Sequence, residues 1–457
     1  MEMIMLGIVA VVFLILLFAI ILKYPKTSVE LFFFLACILP SYFALELSGS
    51  LPLLTATRLL ILLLLFYAVT HRNLPAFKRI VQVNRLKMIL GVYFATRIIA
   101  ELYFAPSLTS YVIKELFSII FEQLMVVILI SKIVTTEKMF NRCINCLVVG
   151  ASVIFVVGII QSLSGVNLAY FLNTVHRTML QTNGFRLGFT RAEASFGHPV
   201  YFGEFCVLLM PIISYLYDYT GKKKYMIALC LDLVALVLSN ARGAILPGAI
   251  ILVVMIMRKS KKAKIRYVGI GVIGILSLIL LSFLIPSLGE ILKTIINSIL
   301  NIFGANIDLG SNYGGNTSGL ESRTSQLTGI TWVIMNGAAL FGFGPDAHMR
   351  GLVSYYFNSR WNNLQTIDVG YVGFFLCEGV IGTIGQLTLI WGLIIHAHKR
   401  ANKRDIMDMN NAFFLCFFAY ASLLLSAAGL NMTYWTIIGL YLAYNNIQSA
   451  NKMEQVL

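Results

Sequence analysis

The chain has 457 residues, of which 58% are hydrophobic and only 12% charged, and its 35 Lys and Arg against 20 Asp and Glu give a formal net charge of +15. Soluble globular domains carry about 25% charged and roughly 45–50% apolar residues, so a soluble fold is excluded. A transmembrane barrel is excluded as well, because it needs short alternating strands and runs such as Ile4 to Leu22 do not alternate.

The apolar residues fall in blocks of about 20, the length of a helix across ~30 Å of hydrocarbon. The fold class expected is an all-α polytopic membrane protein, one integral domain over residues 1–457. Thirteen spans are predicted, at about 3–22, 30–47, 52–70, 88–105, 115–135, 143–163, 197–217, 225–239, 244–257, 267–286, 369–395, 412–429 and 432–445. The second, eighth, ninth and thirteenth are short, which leaves counts from about twelve to fourteen open. Glu2 precedes the first span and Lys23 and Lys26 follow it, the reverse of a cleavable signal peptide, so it is expected to remain as a span with its N-terminus outside. The seven cysteines lie in or beside apolar blocks and imply no disulfide framework. Cys143 and Cys146 form a lone CxxC and read as small buried hydrophobes.

Of the 35 Lys and Arg, 24 fall in one alternating set of connections, which the positive-inside rule places in the cytoplasm. The excess charge is thus topology held against anionic lipid, and nucleic acid is not an expected partner. Two long connections remain outside, about 164–196 and about 287–368. The second is Gly- and Asn-rich around Gly310 and contains an amphipathic helix expected over about 321–340, with Leu327, Ile330, Ile334 and Ala338 at helical spacing. That helix is expected to lie across the membrane surface or to cap the bundle.

The outer cations are Lys114, Lys293 and the arginines 177, 186, 191, 242, 323, 350 and 360. Guanidinium forks bind phosphate oxygens bidentately, so an outer surface favouring Arg suggests a phosphate or diphosphate ligand at the membrane boundary. Headgroup anchoring is the ordinary alternative for any one of them. Four local patterns are denser: Arg191 leading to Phe196-Gly197-His198-Pro199; Ser239-Asn240-Ala241-Arg242-Gly243; Ser322-Arg323 with Trp332 and Phe341-Gly342-Phe343-Gly344-Pro345; and Asp368, Tyr371, Glu378-Gly379 and Gly382.

In these pieces, in this order over about residues 186–385, the chain resembles the bacterial O-antigen polymerase and O-antigen ligase superfamily, membrane glycosyltransferases acting on lipid-diphosphate-linked sugars. The resemblance implies a donor that is an undecaprenyl-diphosphate-linked glycan, bound through its diphosphate by Arg191 and Arg242, with Arg323 beside them. It implies membrane lipids and a chain-length regulator protein as further partners, and the outer face of the bacterial cytoplasmic membrane as the place of reaction. Ligases of this family often carry a His where this chain has Asp368, and that departure fits the polymerase branch better.

A sugar diphosphate already carries its leaving group, and preorganised arginines can balance the developing charge without a metal. No Asp pair of the kind that holds Mg²⁺ stands in the outer segments, so neither metal nor cofactor is expected. An inverting attack by an acceptor hydroxyl needs a base, for which Asp368, Glu193, His198 and His348 are candidates. Arg186, Trp332, His348 and Tyr371 are candidates for contacts with the glycan. Each has an ordinary competing role: Asp368 as a helix cap, Glu193 as the residue that positions Arg191, His198 as packing at a helix start. Glu378 reads as an acceptor of hydrogen bonds from neighbouring helices. Arg97 and Glu101, at i and i+4, read as a mutually neutralising pair. An O-antigen ligase, a flippase for lipid-linked oligosaccharide and a cell-wall glycan polymerase are the alternatives.

Overall fold

The computed structural model describes residues 25–46, 51–70, 84–175, 185–186, 189–259, 323–401, 408–426 and 432–456, with a few isolated positions elsewhere. The first and tenth predicted spans and Arg177 lie outside the described residues, as does the Gly- and Asn-rich stretch around Gly310. Helices dominate: α1 (Pro25–Ile38), α2 (Ala56–Thr70), α3 (Asn84–Tyr103), α4 (Thr109–Ile133), α5 (Glu137–Ser164), α6 (Pro199–Thr220), α7 (Lys223–Leu238), α8 (Arg242–Arg258), α9 (Thr328–Met335), α10 (Gly370–Arg400), α11 (Met409–Leu423) and α12 (Met432–Val456). Two-residue antiparallel pairs join Ala44–Leu45 to Leu54–Thr55 and Phe185–Arg186 to Phe189–Thr190, and a longer hairpin pairs Ser354–Phe357 with Arg360–Asn363.

Among the described residues, four helices (α4, α5, α6 and α10) are long and apolar enough to cross a membrane, and α2, α11 and most of α1 are shorter apolar helices. The protein is an all-α membrane protein. Burial along α5 shows why. Ile144, Leu147, Ala151, Ile154 and Phe155 are buried, while Val149, Val153, Val156 and Ile160 on the other face are each about 40% exposed. A helix apolar on both faces suits hydrocarbon outside and protein inside.

The helix α10 packs along α3, and small residues allow the approach: a Cβ on Gly385 would meet the Thr96 Oγ1 of α3, the close backbone contact that small residues give membrane helices. Midway, α10 is interrupted. Gly379 takes φ 61° and ψ −159°, a region that only glycine adopts readily. The Ala339–Gly344 segment fills the break: Val380 N–H donates to Ala339 O (2.9 Å) and Ile381 N–H to Leu340 O (3.2 Å), while Phe343 and Gly344 N–H donate to Leu376 O (3.0 Å) and Cys377 O (2.9 Å). Backbone groups freed on both sides of the break are thereby paired, as a low-dielectric surrounding demands.

Next to the break, Glu378 accepts hydrogen bonds from the Arg97 guanidinium and from Gln386 Nε2 (3.3 Å), and Arg97 also reaches Glu115 at 2.6 Å. The expected Arg97–Glu101 pair holds only in part: Glu101 acts electrostatically on the guanidinium, but the direct contacts come from elsewhere. Long-range packing brings Glu378 and Glu115 onto the guanidinium, and one Glu101 carboxylate oxygen is left buried without a hydrogen bond. Glu378 does accept from a neighbouring helix, as read from the sequence.

The expected amphipathic helix at 321–340 is shorter. A turn of helix at 323–326 precedes α9, which ends at Met335 because Gly337 turns at φ 71°. Its buried face is also different: Gln326, Gly329 and Val333 point inward, whereas Leu327 and Ile334 are more than half exposed. Val333 joins Ala347, Val353, Leu364, Val372 and Leu376 in a small apolar cluster that seats this cap on the first turns of α10.

Gly379→Ala should cost on the order of 3 kcal/mol, because its methyl would lie 2.4 Å from the Leu340 backbone. Gly91→Ala in α3, where nothing lies within 4 Å of the added Cβ, should be neutral or stabilising. Thermal unfolding in detergent separates the two, and equal behaviour would contradict the pinned break.

Candidate functional site

One end of the bundle gathers the loop 191–198, the Ser239–Gly243 turn, the starts of α6, α8 and α10 and the end of α11. The loop is moulded from below. Gln161 Oε1, near the end of α5, accepts from the N–H groups of both Glu193 (3.0 Å) and Ala194 (2.8 Å), and Asn167 Nδ2 donates to Ala194 O at 2.9 Å. These bonds hold Ala194 at φ 47°, a left-handed conformation uncommon outside glycine and asparagine. Ser195 Oγ donates to Cys37 O of α1 at 3.1 Å.

The Glu193 carboxylate is buried and accepts from Gln161 Nε2 (3.3 Å), Asn167 Nδ2 (3.4 Å) and the Tyr170 hydroxyl. Burial, and then the bond to Glu193, raise the Tyr170 phenol far above its ordinary range, so it stays a donor. Three donors on one carboxylate make Glu193 an anchor of the loop. All three of these bonds fall on Oε1, so that oxygen is committed to holding the loop.

Arg191, half-buried, directs Nε to Ser239 O (3.4 Å), and Ala192 N–H donates to Leu238 O (3.0 Å). This ties the first arginine to the turn that carries the second: Arg242 is the first residue of α8, three positions beyond Ser239, and no side chain caps that helix start. The α8 start is in turn joined to the end of α11, because Ser426 Oγ donates to Gly243 O. That end meets the start of α10, where Gly370 N–H donates to Leu424 O (2.9 Å) and the Tyr371 hydroxyl to Ala421 O (2.9 Å). Tyr371 is therefore committed to holding α10 against α11.

Asp368 does not cap α10; the residue at that position is Val369, with no side-chain cap. It is held instead by Gln326, whose Oε1 accepts from the Asp368 N–H (3.0 Å) and whose Nε2 donates to Asp368 Oδ2 (3.3 Å) and to Thr366 O (3.4 Å). Asp368 Oδ1 carries no hydrogen bond among the described residues. Arg323 stands one helical turn before Gln326, on the same side of that turn.

His198 caps α6, its Nδ1 accepting from Val200 N–H at 3.2 Å. Burial lowers its imidazole pKa below the ordinary value, and Arg191 lowers it further, against opposing pulls from Glu193 and Asp368. A single ring thus feels Arg191, Glu193 and Asp368, which stand in one electrostatic neighbourhood although the sequence spreads them over 178 positions.

Other expected residues stand elsewhere. Trp332 donates to Leu352 O (3.0 Å) and packs on Trp361 with ring centroids 4.9 Å apart, in the cap. His348 also sits in the cap, with Nδ1 buried and without a partner; burial lowers its pKa and Asp346 opposes the shift. Arg350 donates to Pro345 O and Phe343 O, bracing the segment that fills the α10 break. Arg186 pairs through its backbone with Phe189, and its side chain lies outside the described residues. Missing from the sequence reading were Gln161, Asn167 and Gln326. Their only signal was a lone amide at the end of an apolar run or one turn beyond an arginine. No protein-family model and no curated protein matches the chain.

The depressed His198 pKa means that the native state disfavours the protonated ring. This contribution to stability is complete above the ordinary histidine range, about pH 6.5, and is lost as pH falls below it. His198→Asn, which retains a capping acceptor, should abolish that acid-side loss, and His198→Ala should cost about 0.5–2 kcal/mol through the lost cap. Unfolding temperatures of both variants across mildly acid and neutral pH check this.

Proposed function

We propose that the protein is a membrane glycosyltransferase that polymerises polyprenyl-diphosphate-linked oligosaccharide repeat units, of the O-antigen polymerase type. What supports the reading is that Arg191 and Asp368 both act electrostatically on the His198 ring, and that Arg191 reaches Ser239 O in the turn leading to the α8 start that bears Arg242 and has no side-chain cap. Convergent guanidinium groups and a helix N-terminus favour a diphosphate, and a carboxylate with one free oxygen favours proton abstraction from a hydroxyl.

In this reading the acceptor hydroxyl of an incoming lipid-linked unit attacks the anomeric carbon of the growing chain. The new C–O bond forms as the bond to diphosphate oxygen breaks, and Asp368 Oδ1 takes the hydroxyl proton. The polyprenyl diphosphate leaves with its charge balanced by Arg191 and Arg242, and in this reading Arg323 shares that load. Inversion at the anomeric carbon follows from attack opposite the leaving group. The thirteen-span topology belongs to the same reading. It sets the basic connections at Lys222–Lys224 and Lys399–Arg404 in the cytoplasm and the arginine site at the outer face of a bacterial cytoplasmic membrane.

Purified protein given a lipid-diphosphate repeat unit should yield a ladder of polymer on gels. Arg191→Ala and Arg242→Ala should each lower the rate about 10²–10³-fold, Arg191→Lys should not restore it, and Asp368→Asn should lower it about 10²–10⁴-fold. A ladder unaffected by these changes would reject the reading. A product formed only with a second, non-polymeric acceptor would assign a ligase, and movement of intact units across vesicles without a new glycosidic bond would assign a flippase.

A further inference from the structure

At the end of the bundle opposite Asp368 a cavity of about 300 Å³ opens between α3 and α10. Three of its lining residues are basic: Arg85 at the start of α3, and Lys399 and Arg400 at the end of α10. His396 completes the polar rim. Its Nδ1 is engaged by the Tyr441 hydroxyl at 2.6 Å, and Arg85 and Arg400 both lie within electrostatic reach of the ring. Arg400 gives one nitrogen to Asn445 (2.8 Å), and a guanidinium keeps further donors for a second partner. Among the described residues, no carboxylate lines the cavity.

Inward from the cations the walls are apolar, formed by Met88 and Ile89 of α3 and Gly392 and Ile395 of α10. Gly392 and Ile395 lie about one to two helical turns from the α10 end, roughly 6–12 Å deeper. Met88 is 65% and Ile395 52% exposed, so this wall opens sideways to the surroundings. A cationic mouth at the helix ends above an open apolar wall matches an amphiphile, with its anionic head at the rim and its chain beside the helices. A soluble anion would leave the apolar wall without a partner.

We propose that this cleft is a specific site for one anionic phospholipid, its phosphate held by Arg85, Lys399 and Arg400 and an acyl chain laid along Met88, Ile89 and Ile395. The site is separate from the one that the functional reading uses and does not depend on it. In the topology given above it faces the cytoplasmic leaflet, whose anionic lipids are drawn to basic residues at helix ends.

Native mass spectrometry of the full-length protein, titrated with phosphatidylglycerol or phosphatidylcholine of identical chains, tests the proposal. Phosphatidylglycerol should bind preferentially, and each of Arg85→Gln, Lys399→Gln and Arg400→Gln should weaken it about fivefold, until the triple variant shows no preference. Neutralising Lys222, Lys223 and Lys224 at the same end of the bundle should leave binding intact. Ile395→Glu keeps all three cations at an exposed position and should also weaken binding, which guards against a triple variant that fails to fold. Equal binding of the two lipids, or preference retained in the triple variant, would overturn the assignment. So would displacement of phosphatidylglycerol by glycerol phosphate, which would mark a site for a soluble anion.

Discussion

A break in a helix at membrane depth survives only if every freed backbone group finds a partner, and the interruption of α10 at Gly379 meets that constraint through one short segment. Ala339, Leu340, Phe343 and Gly344 lend two carbonyls and two amides to the two halves of α10. That exchange pins the cap to the bundle, fixes where the first half of α10 points, and so sets the position of Asp368 just ahead of it. The Arg97–Glu378 pair beside the break is buried on both sides, where removal of one partner leaves the other as an uncompensated charge and costs about 3–5 kcal/mol. The geometry of the candidate site is therefore inherited from contacts made well below it.

The site itself is built on amides. Gln161 fixes the backbone of Glu193 and Ala194, and Gln326 fixes both the backbone and the carboxylate of Asp368. An amide side chain offers a donor and an acceptor without adding net charge, so it can hold a loop rigid next to arginines without competing for an anionic ligand. Such preorganised positioning is what electrostatic stabilisation of a leaving group requires.

Much of the architecture was legible in the sequence because hydrophobic length is a direct physical signal: apolar blocks from Glu137 to Ser164 or from Gly370 to Arg400 have few alternatives to a membrane helix. Arg191, Glu193, His198 and Asp368 stood out in the sequence as polar groups in dense local patterns at span boundaries. Their division of labour did not. Whether Glu193 is free or spent depends on Gln161, Asn167 and Tyr170, and no local pattern says that these will meet. The Arg97–Glu101 spacing suggested a local pair, yet tertiary packing supplied closer carboxylates. Around α9 the apolar spacing of Leu327 and Ile334 pointed to the wrong face, because the cap buries Gln326, Gly329 and Val333 against α10 and leaves the larger side chains outside.

The Glu378 pairing also bears on biogenesis. The chain is synthesised from its N-terminus, so α3 and α4, carrying Arg97 and Glu115, enter the bilayer long before α10 emerges from the ribosome. Glu378 alone would oppose insertion of its own segment, and Gly379 would expose unsatisfied peptide groups to lipid. The earlier helices present a waiting counter-charge, and residues 339–344, made immediately beforehand, present the missing hydrogen-bond partners. The partners that the interrupted helix needs therefore all stand earlier in the chain than the helix itself.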